Sequence, residues 1–159
     1  MKKLKEIFEQ LGYSNVSTYI NSGNVIFESG KAQKTVRSAI EKALKKEFGV
    51  EIPTLVRTIK EMQKVADAIP SGWKNDDKQR TDVAYLFDKA DKKSIVDELP
   101  IKKEFIDVRY VKGAIFWNVK REYVFKSHLG KIISHPIYQL MTVRNVNTAL
   151  KLAGIHHGN

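Results

Sequence analysis

The sequence contains no cysteine, which excludes disulfide bonds, thiolate nucleophiles and cysteine-ligated zinc. No run approaches the ~20 apolar residues that a membrane-spanning helix needs, and the first residues lack the apolar core of a signal peptide. Glycine-rich phosphate loops and the HExxH motif are absent, and His128, His135, His156 and His157 show no metal-ligand spacing. We therefore expect a soluble cytoplasmic protein that holds no metal ion and no cofactor.

Positive charge is abundant and unevenly distributed. The net charge of the 159 residues is +10, while 42% of the residues are hydrophobic, which is enough for a folded core. Residues 31–60 carry eight basic and three acidic side chains, residues 112–135 carry five and one, and residues 136–159 add Arg144 and Lys151. If these segments share a face, that face attracts polyanions such as nucleic acid. The alternative is a solvated, lysine-rich surface that keeps the protein in solution.

The first 58 residues follow the order α-β-β-α-β. The predicted elements are a helix at 4–11, strands at 16–20 and 25–27, a helix at 32–48 and a strand at 52–58. One strand in front would complete β-α-β-β-α-β, the ferredoxin-like or split βαβ unit. We therefore expect that the first half lacks its N-terminal strand, which belongs at the centre of such a sheet. Another segment or chain fills that position, or the natural gene product is longer.

The second half reads β-α-β-β-α after its first helix, which is again one strand short of the ferredoxin-like unit, and no sequence identity links the two halves. The predicted elements are a helix at 59–68, a strand at 83–87, a helix at 90–99, strands at 105–111 and 114–120, a short helix near Ser127 and a last helix at about 143–153. Lys112-Gly113 is a two-residue hairpin turn. The predicted fold class is α+β, with two ferredoxin-like halves at residues 1–58 and 59–159 that form one compact unit.

The segment from Thr142 to Leu152 is the densest in side chains that bind ligands. The predicted C-terminal helix carries five of them, namely Arg144, Asn145, Asn147, Thr148 and Lys151. Thr142 is a suitable N-cap, and a helix N-terminus beside arginine and asparagine can hold phosphate or carboxylate. The segment therefore predicts an anion site. Alternatively, Arg144 and the asparagines tie the last helix to loops of the sheet through hydrogen bonds.

The turn from Asn21 to Asn24 is a second candidate. Asparagine and glycine tolerate positive φ, so the sequence Asn-Ser-Gly-Asn favours a tight hairpin turn. The same turn can also present polar groups to a ligand from Asn21, Ser22 and Asn24. Aromatic residues on the predicted strands alternate in a way that places most of them in the core, so they are not expected to stack nucleic-acid bases.

Three stretches of the sequence resemble an uncharacterised, mainly bacterial family, the domain of unknown function 1697 (DUF1697). They are residues 11–27, the Trp73 loop followed by residues 82–87, and residues 141–152, so that the resemblance covers nearly the whole chain. It implies an α+β fold with two ferredoxin-like halves, and it implies no activity. Members of the family usually begin with a strand and a glycine-containing loop, and nothing similar precedes Lys2 here.

These patterns favour a binding module for an anionic ligand, either a phosphorylated small molecule or a nucleic acid. The first alternative is a small metal-independent enzyme that uses polar groups such as Arg144, Asn21 and Asn145. The second is an interaction protein that forms homo-oligomers, in which the partner covers the open sheet. The sequence itself does not decide whether the protein is an enzyme.

Overall fold

Two antiparallel sheets and five α-helices make up the α+β fold of the computed structural model, which describes residues 2–19 and 23–154. The chain divides into two units, Met1–Thr58 and Ile59–Asn159. Among the described residues, no helix is both long and apolar enough to cross a membrane.

The first unit places two helices on a two-stranded sheet. Its elements are α1 (Lys2–Gln10), β1 (Ser14–Tyr19), β2 (Asn24–Glu28) and α2 (Gln33–Phe48). The buried side chains of α2, Val36, Ile40 and Leu44, are spaced by four residues and contact Ile7 and Phe8 of α1 in one core cluster. This confirms the predicted helix at 32–48. Apolar burial along one stripe thus stabilises α2 against the sheet.

The predicted strand at Ile52–Thr58 is wrong. Residues 51–58 belong to no helix or strand. Val56 still packs against the first core cluster, and its carbonyl accepts a hydrogen bond from the side-chain amide of Gln33 at 3.2 Å. The segment is therefore attached by side chains, whereas a strand is held by ladder hydrogen bonds.

The second unit is built on a four-stranded antiparallel sheet. Its elements are α3 (Ile59–Ala68), β3 (Gln79–Leu86), β4 (Ile106–Val111), β5 (Ala114–Lys120), α4 (Lys131–Ser134), β6 (Met141–Asn145) and α5 (Val146–Leu152), with short 3₁₀ helices between them. The strand order is β4-β5-β3-β6, so β3 and β5 are central and β6 lies at an edge. The turn Lys112-Gly113 joins β4 to β5, as predicted, and Gly113 has a φ of 92°.

The predicted helix at Ala90–Leu99 is replaced by two 3₁₀ helices, Asp88–Ala90 and Lys93–Glu98. The side chain of Asp91 explains the interruption. One of its carboxylate oxygens accepts hydrogen bonds from the Tyr110 hydroxyl at 2.7 Å and from the Gly113 amide at 2.8 Å. These bonds fix the chain to the β4–β5 turn at the point where a continuous helix would have to pass.

Candidate functional site

The segment singled out by the sequence forms a strand followed by a short helix. The helix predicted at about Val143–Ala153 is confirmed over Val146–Leu152. Its start and the N-cap role of Thr142 are wrong, because Met141–Asn145 forms β6 and pairs with β3. Arg144 therefore lies on a strand, and helical spacing does not relate it to Lys151. The ladder hydrogen bonds of β3, a central strand, override the weak local preference of this stretch.

Arg144 and Thr142 point to one face of the sheet from its edge. Arg144 lies opposite Val83 and Thr142 lies opposite Tyr85 in the β3–β6 ladder. Directly paired residues of an antiparallel ladder share a face. Thr142 and Arg144 thus form a short polar strip beside the buried side chains of Val83 and Tyr85.

The guanidinium of Arg144 is partly withdrawn from water. One of its nitrogens, Nη1, donates a hydrogen bond to the carbonyl of Val143 at 2.9 Å. Burial lowers the pKa of Arg144, and the nearby hydroxyls of Tyr85 and Tyr138 act in the opposite direction. Burial also raises the pKa of Tyr85, an effect that Arg144 opposes. Arginine remains protonated in proteins at neutral pH, so this position holds a partly desolvated positive charge between two tyrosines.

Asn145 caps α5. Its backbone is extended, and its side-chain oxygen accepts a hydrogen bond from the Thr148 amide at 3.0 Å. This is the N-cap role that the sequence analysis assigned to Thr142. The amide side chain of Asn145 is thus occupied by the helix it starts, and helix α5 is only seven residues long.

Replacing Asn145 with alanine is expected to lower the free energy of unfolding by about 1 kcal/mol, because the Thr148 amide loses its acceptor. Asn145→Ser should retain most of the stability, since serine is also a good N-cap. Chemical denaturation followed by circular dichroism measures both variants. Equal stability of Asn145→Ala and the parent protein would show that the cap contributes nothing.

The remaining polar residues of α5 divide between its two faces. Thr148 is buried with Val146 and Ala149, whereas Asn147 and Lys151 are exposed. The side-chain amide of Asn147 donates to the Asn75 carbonyl at 3.4 Å, which ties the helix to the loop before β3. This contact agrees with the structural alternative for the asparagines, while Lys151 lies in the last turn of the exposed face.

The hairpin candidates belong to the first unit. Asn24 is buried at the start of β2, and its side-chain amide donates to the Tyr19 carbonyl at 3.0 Å across the hairpin. This bond supports the structural interpretation of Asn24. Asn21 and Ser22 lie outside the described residues. The structure therefore brings Thr142, Arg144, Asn145, Asn147 and Lys151 into one strand–helix segment.

No sequence pattern marked the two tyrosines near Arg144, Tyr85 and Tyr138. Tyr85 lies within a strand whose residues from Thr81 to Leu86 are all buried, so no alternation marks its face. Tyr138 belongs to the 3₁₀ helix Pro136–Leu140, which immediately precedes β6. No local pattern links Tyr85 to Arg144, because the pairing of β6 with β3 brings them together.

Metal chemistry finds no support in the described part of the chain, which contains no group of three histidine, aspartate or glutamate side chains able to hold an ion. His156 and His157 lie outside that part. What the segment around Arg144 offers is a charged guanidinium, hydroxyl groups and a lysine, and these groups bind anions.

Comparison with known proteins identifies a family and a fold. Residues 1–117 match the model of a family described as "Protein of unknown function (DUF1697)". The solved structure of a conserved bacterial protein from Streptococcus pneumoniae resembles this chain with a TM-score of 0.82 at 23% identity, covering 97% of this chain and 87% of that one. No curated protein matches the chain significantly. The matched range of the family ends before β6, so the segment around Arg144 must be judged by its own geometry.

Proposed function

Because the chain belongs to the DUF1697 family, whose function is unknown, we propose a function from its own residues. The second unit binds the phosphate group of a ligand, either a phosphorylated small molecule or a nucleic acid. The binding surface consists of Thr142, Arg144, Asn147 and Lys151, and we refer to it as the Arg144 surface. Asn145 supports this surface by starting α5.

The observation that carries the proposal is the position of Arg144, a partly buried arginine on an edge strand. Much of the cost of removing this cation from water has already been met in folding. An anion that reaches it therefore gains a stronger electrostatic interaction than it would gain at a fully hydrated lysine. The planar fork of arginine also matches the geometry of phosphate oxygens.

The surroundings of Arg144 suit a phosphate group. Thr142 presents a hydroxyl on the same face, and hydroxyls of Thr and Tyr can donate to phosphate oxygens. Lys151 adds a second positive charge on the exposed side of α5. The net charge of +10 adds a long-range attraction for any anion.

We further propose that both units are ferredoxin-like. The second unit supports this with its fully antiparallel order β4-β5-β3-β6, in which the first strand lies between the third and the fourth. The first unit supports it with its element order and with the antiparallel pairing of β1 and β2. In the second unit the edge strand β6 follows the second helical region and carries Arg144, whereas residues 51–58 hold the corresponding position in the first unit without forming a strand.

Replacing Arg144 with glutamine is expected to weaken binding of inorganic pyrophosphate by about tenfold or more, because a charge-assisted hydrogen bond contributes ~1.5–3 kcal/mol. Arg144→Lys should give an intermediate loss, since it keeps the charge and loses the fork. Isothermal titration calorimetry at constant ionic strength measures the affinities, and thermal denaturation checks the fold.

Arg109→Gln is the matched control. Arg109 is exposed on β4, the opposite edge strand, and its guanidinium lies 4.9 Å from the centre of the Trp73 ring. Both substitutions remove one positive charge, so they change the overall field equally. Equal weakening of pyrophosphate binding by the two variants would show that net charge alone accounts for it. A large loss of thermal stability in Arg144→Gln with unchanged pyrophosphate affinity would show that Arg144 is structural.

A further inference from the structure

Phe125 is the most exposed of the large apolar side chains in the described part of the chain, at 93%. It projects from the segment between β5 and α4, where a solvent-exposed aromatic ring contributes nothing to packing. Single exposed apolar side chains are common on protein surfaces, so Phe125 marks a binding surface only together with the charged groups of the neighbouring residues.

The backbone beside Phe125 is firmly held. Ser127 is fully buried, and its hydroxyl donates to the Val124 carbonyl at 2.7 Å and accepts from the Leu129 amide at 3.2 Å. The carbonyl of Ser127 also accepts from the Lys102 amide at 2.8 Å. These bonds anchor the chain two residues after Phe125. Because the backbone is fixed there, little conformational entropy is lost when a ligand binds to the ring.

Lysines lie close to two residues of this segment, Tyr123 and His128. The ammonium groups of Lys120 and Lys126 lie 5.9 and 5.8 Å from the centre of the Tyr123 ring, which is close enough for cation–π attraction. Lys102 and Lys131 lie near His128 and, together with burial, lower the pKa of its imidazole. We call this group the Phe125 patch, and its members are Lys102, Lys120, Tyr123, Phe125, Lys126, His128 and Lys131.

Charge supports an anionic partner for the Phe125 patch. Residues 112–135 carry five basic residues and one acidic residue, Glu122, while Glu104 lies two positions from Lys102 of the patch. An exposed ring in a lysine-rich segment offers both a stacking platform and contacts for a phosphate backbone. The apolar area of one phenylalanine is too small to hold a protein on a membrane by itself.

We propose that the Phe125 patch binds single-stranded nucleic acid, with a base stacked on Phe125 and backbone phosphates contacting the neighbouring lysines. Single strands fit this arrangement because their bases are free to stack on a protein ring, whereas the bases of a duplex are already stacked on one another. The patch shares no residue with the Arg144 surface, and the inference stands independently of the function proposed above.

Phe125→Ala should weaken binding of a fluorescein-labelled twelve-nucleotide single strand by about five- to one-hundredfold, as expected for loss of one stacked base. Phe125→Leu should lose almost as much, because leucine is apolar but cannot stack, and Phe125→Trp should retain the affinity. Fluorescence anisotropy with oligo(dT), oligo(U) and a twelve-base-pair duplex provides the measurement. Since the ring is exposed, these variants are expected to keep the fold.

Phe48→Ala is the control, because Phe48 is a half-exposed phenylalanine in the first unit and its loss should leave the affinity unchanged. Lys126→Gln should reduce the slope of log K against log salt by ~0.7, the value for one phosphate contact on a single strand. Unchanged single-strand affinity in Phe125→Ala would overturn the proposal, and so would equal affinity for the duplex. Arg144→Gln distinguishes the two sites, because it should impair pyrophosphate binding and leave stacking on Phe125 intact.

Discussion

Replacing Asp82 with alanine is expected to lower the free energy of unfolding by about 3 kcal/mol, because it leaves a buried hydrogen-bond donor without an acceptor and separates an ion pair. Asp82 lies on β3 directly opposite Trp117 of β5, and only 6% of its side chain is exposed. Its Oδ2 atom accepts from the indole nitrogen of Trp117 at 2.9 Å and from Nε of Arg80 at 2.8 Å. One carboxylate oxygen thus serves two donors at the centre of the second sheet.

The two donors of this network differ in how they respond to the loss of Asp82. Trp117 is fully buried, so its N–H cannot turn to water. Arg80 is 37% exposed and can recover hydration. Most of the expected loss therefore comes from the indole. Asp82→Asn should cost less, since it keeps an acceptor oxygen, and Arg80→Gln should cost about 1 kcal/mol or less, as for other partly exposed ion pairs.

Urea denaturation followed by circular dichroism tests this prediction. In a Trp117→Phe background the unpaired indole no longer exists, so Asp82→Ala should cost less there than in the parent protein. A loss below about 1 kcal/mol in the parent background, or an equal loss in both backgrounds, would contradict a structural role based on this hydrogen bond. The burial of the Asp82 carboxylate would then need a different explanation.

Local patterns predicted the elements that local interactions determine. The spacing of Val36, Ile40 and Leu44 predicts α2 because these side chains meet one core, and Gly49 ends the helix with a φ of 73°. The turn Lys112-Gly113 predicts the β4–β5 hairpin because glycine adopts positive φ easily. In each case the information lies within a few residues of the element itself.

Elements that depend on distant residues were missed. Residues 141–145 form a strand only because they pair with β3, which lies about sixty residues earlier in the chain. For the same reason the sequence identified Arg144 as a candidate ligand-binding residue but placed it on a helix and missed Tyr85 and Tyr138. The exposed Phe125 was missed because exposure depends on how the segment is anchored, through Ser127, and not on the residue type.

The ferredoxin-like order proposed for the first unit would account for the absence of the predicted strand at residues 51–58. In the second unit β5 and β6 both flank β3 and are not neighbours of each other. If the first unit follows the same strand order, residues 51–58 correspond to β6 of the second unit. One further strand would then separate them from β2. Within the described residues β2 pairs only with β1. An apolar segment with strand propensity therefore has no ladder to join, although Val56 reaches the core.

Joining a strand-forming segment of about six residues, through a flexible linker, ahead of Met1 should raise the free energy of unfolding of the first unit by several kcal/mol. The added strand would pair with β2 on one side and residues 51–58 on the other, and each net backbone hydrogen bond contributes about 1 kcal/mol. It would also cover apolar side chains that are exposed in the first unit, namely Ile26 at 46%, Val50 at 58% and Ile52 at 37%.

A segment of equal length made of glycine and serine is the control, because it adds the same mass without strand propensity or apolar area. Hydrogen exchange gives the second measurement, since the outward-facing amides of β2 and those of residues 51–58 should become protected only with the strand-forming segment. Equal stability with both segments and unchanged exchange would show that the sheet of the first unit does not accept a further strand. The order of β3, β4, β5 and β6 could then not be transferred from the second unit to the first.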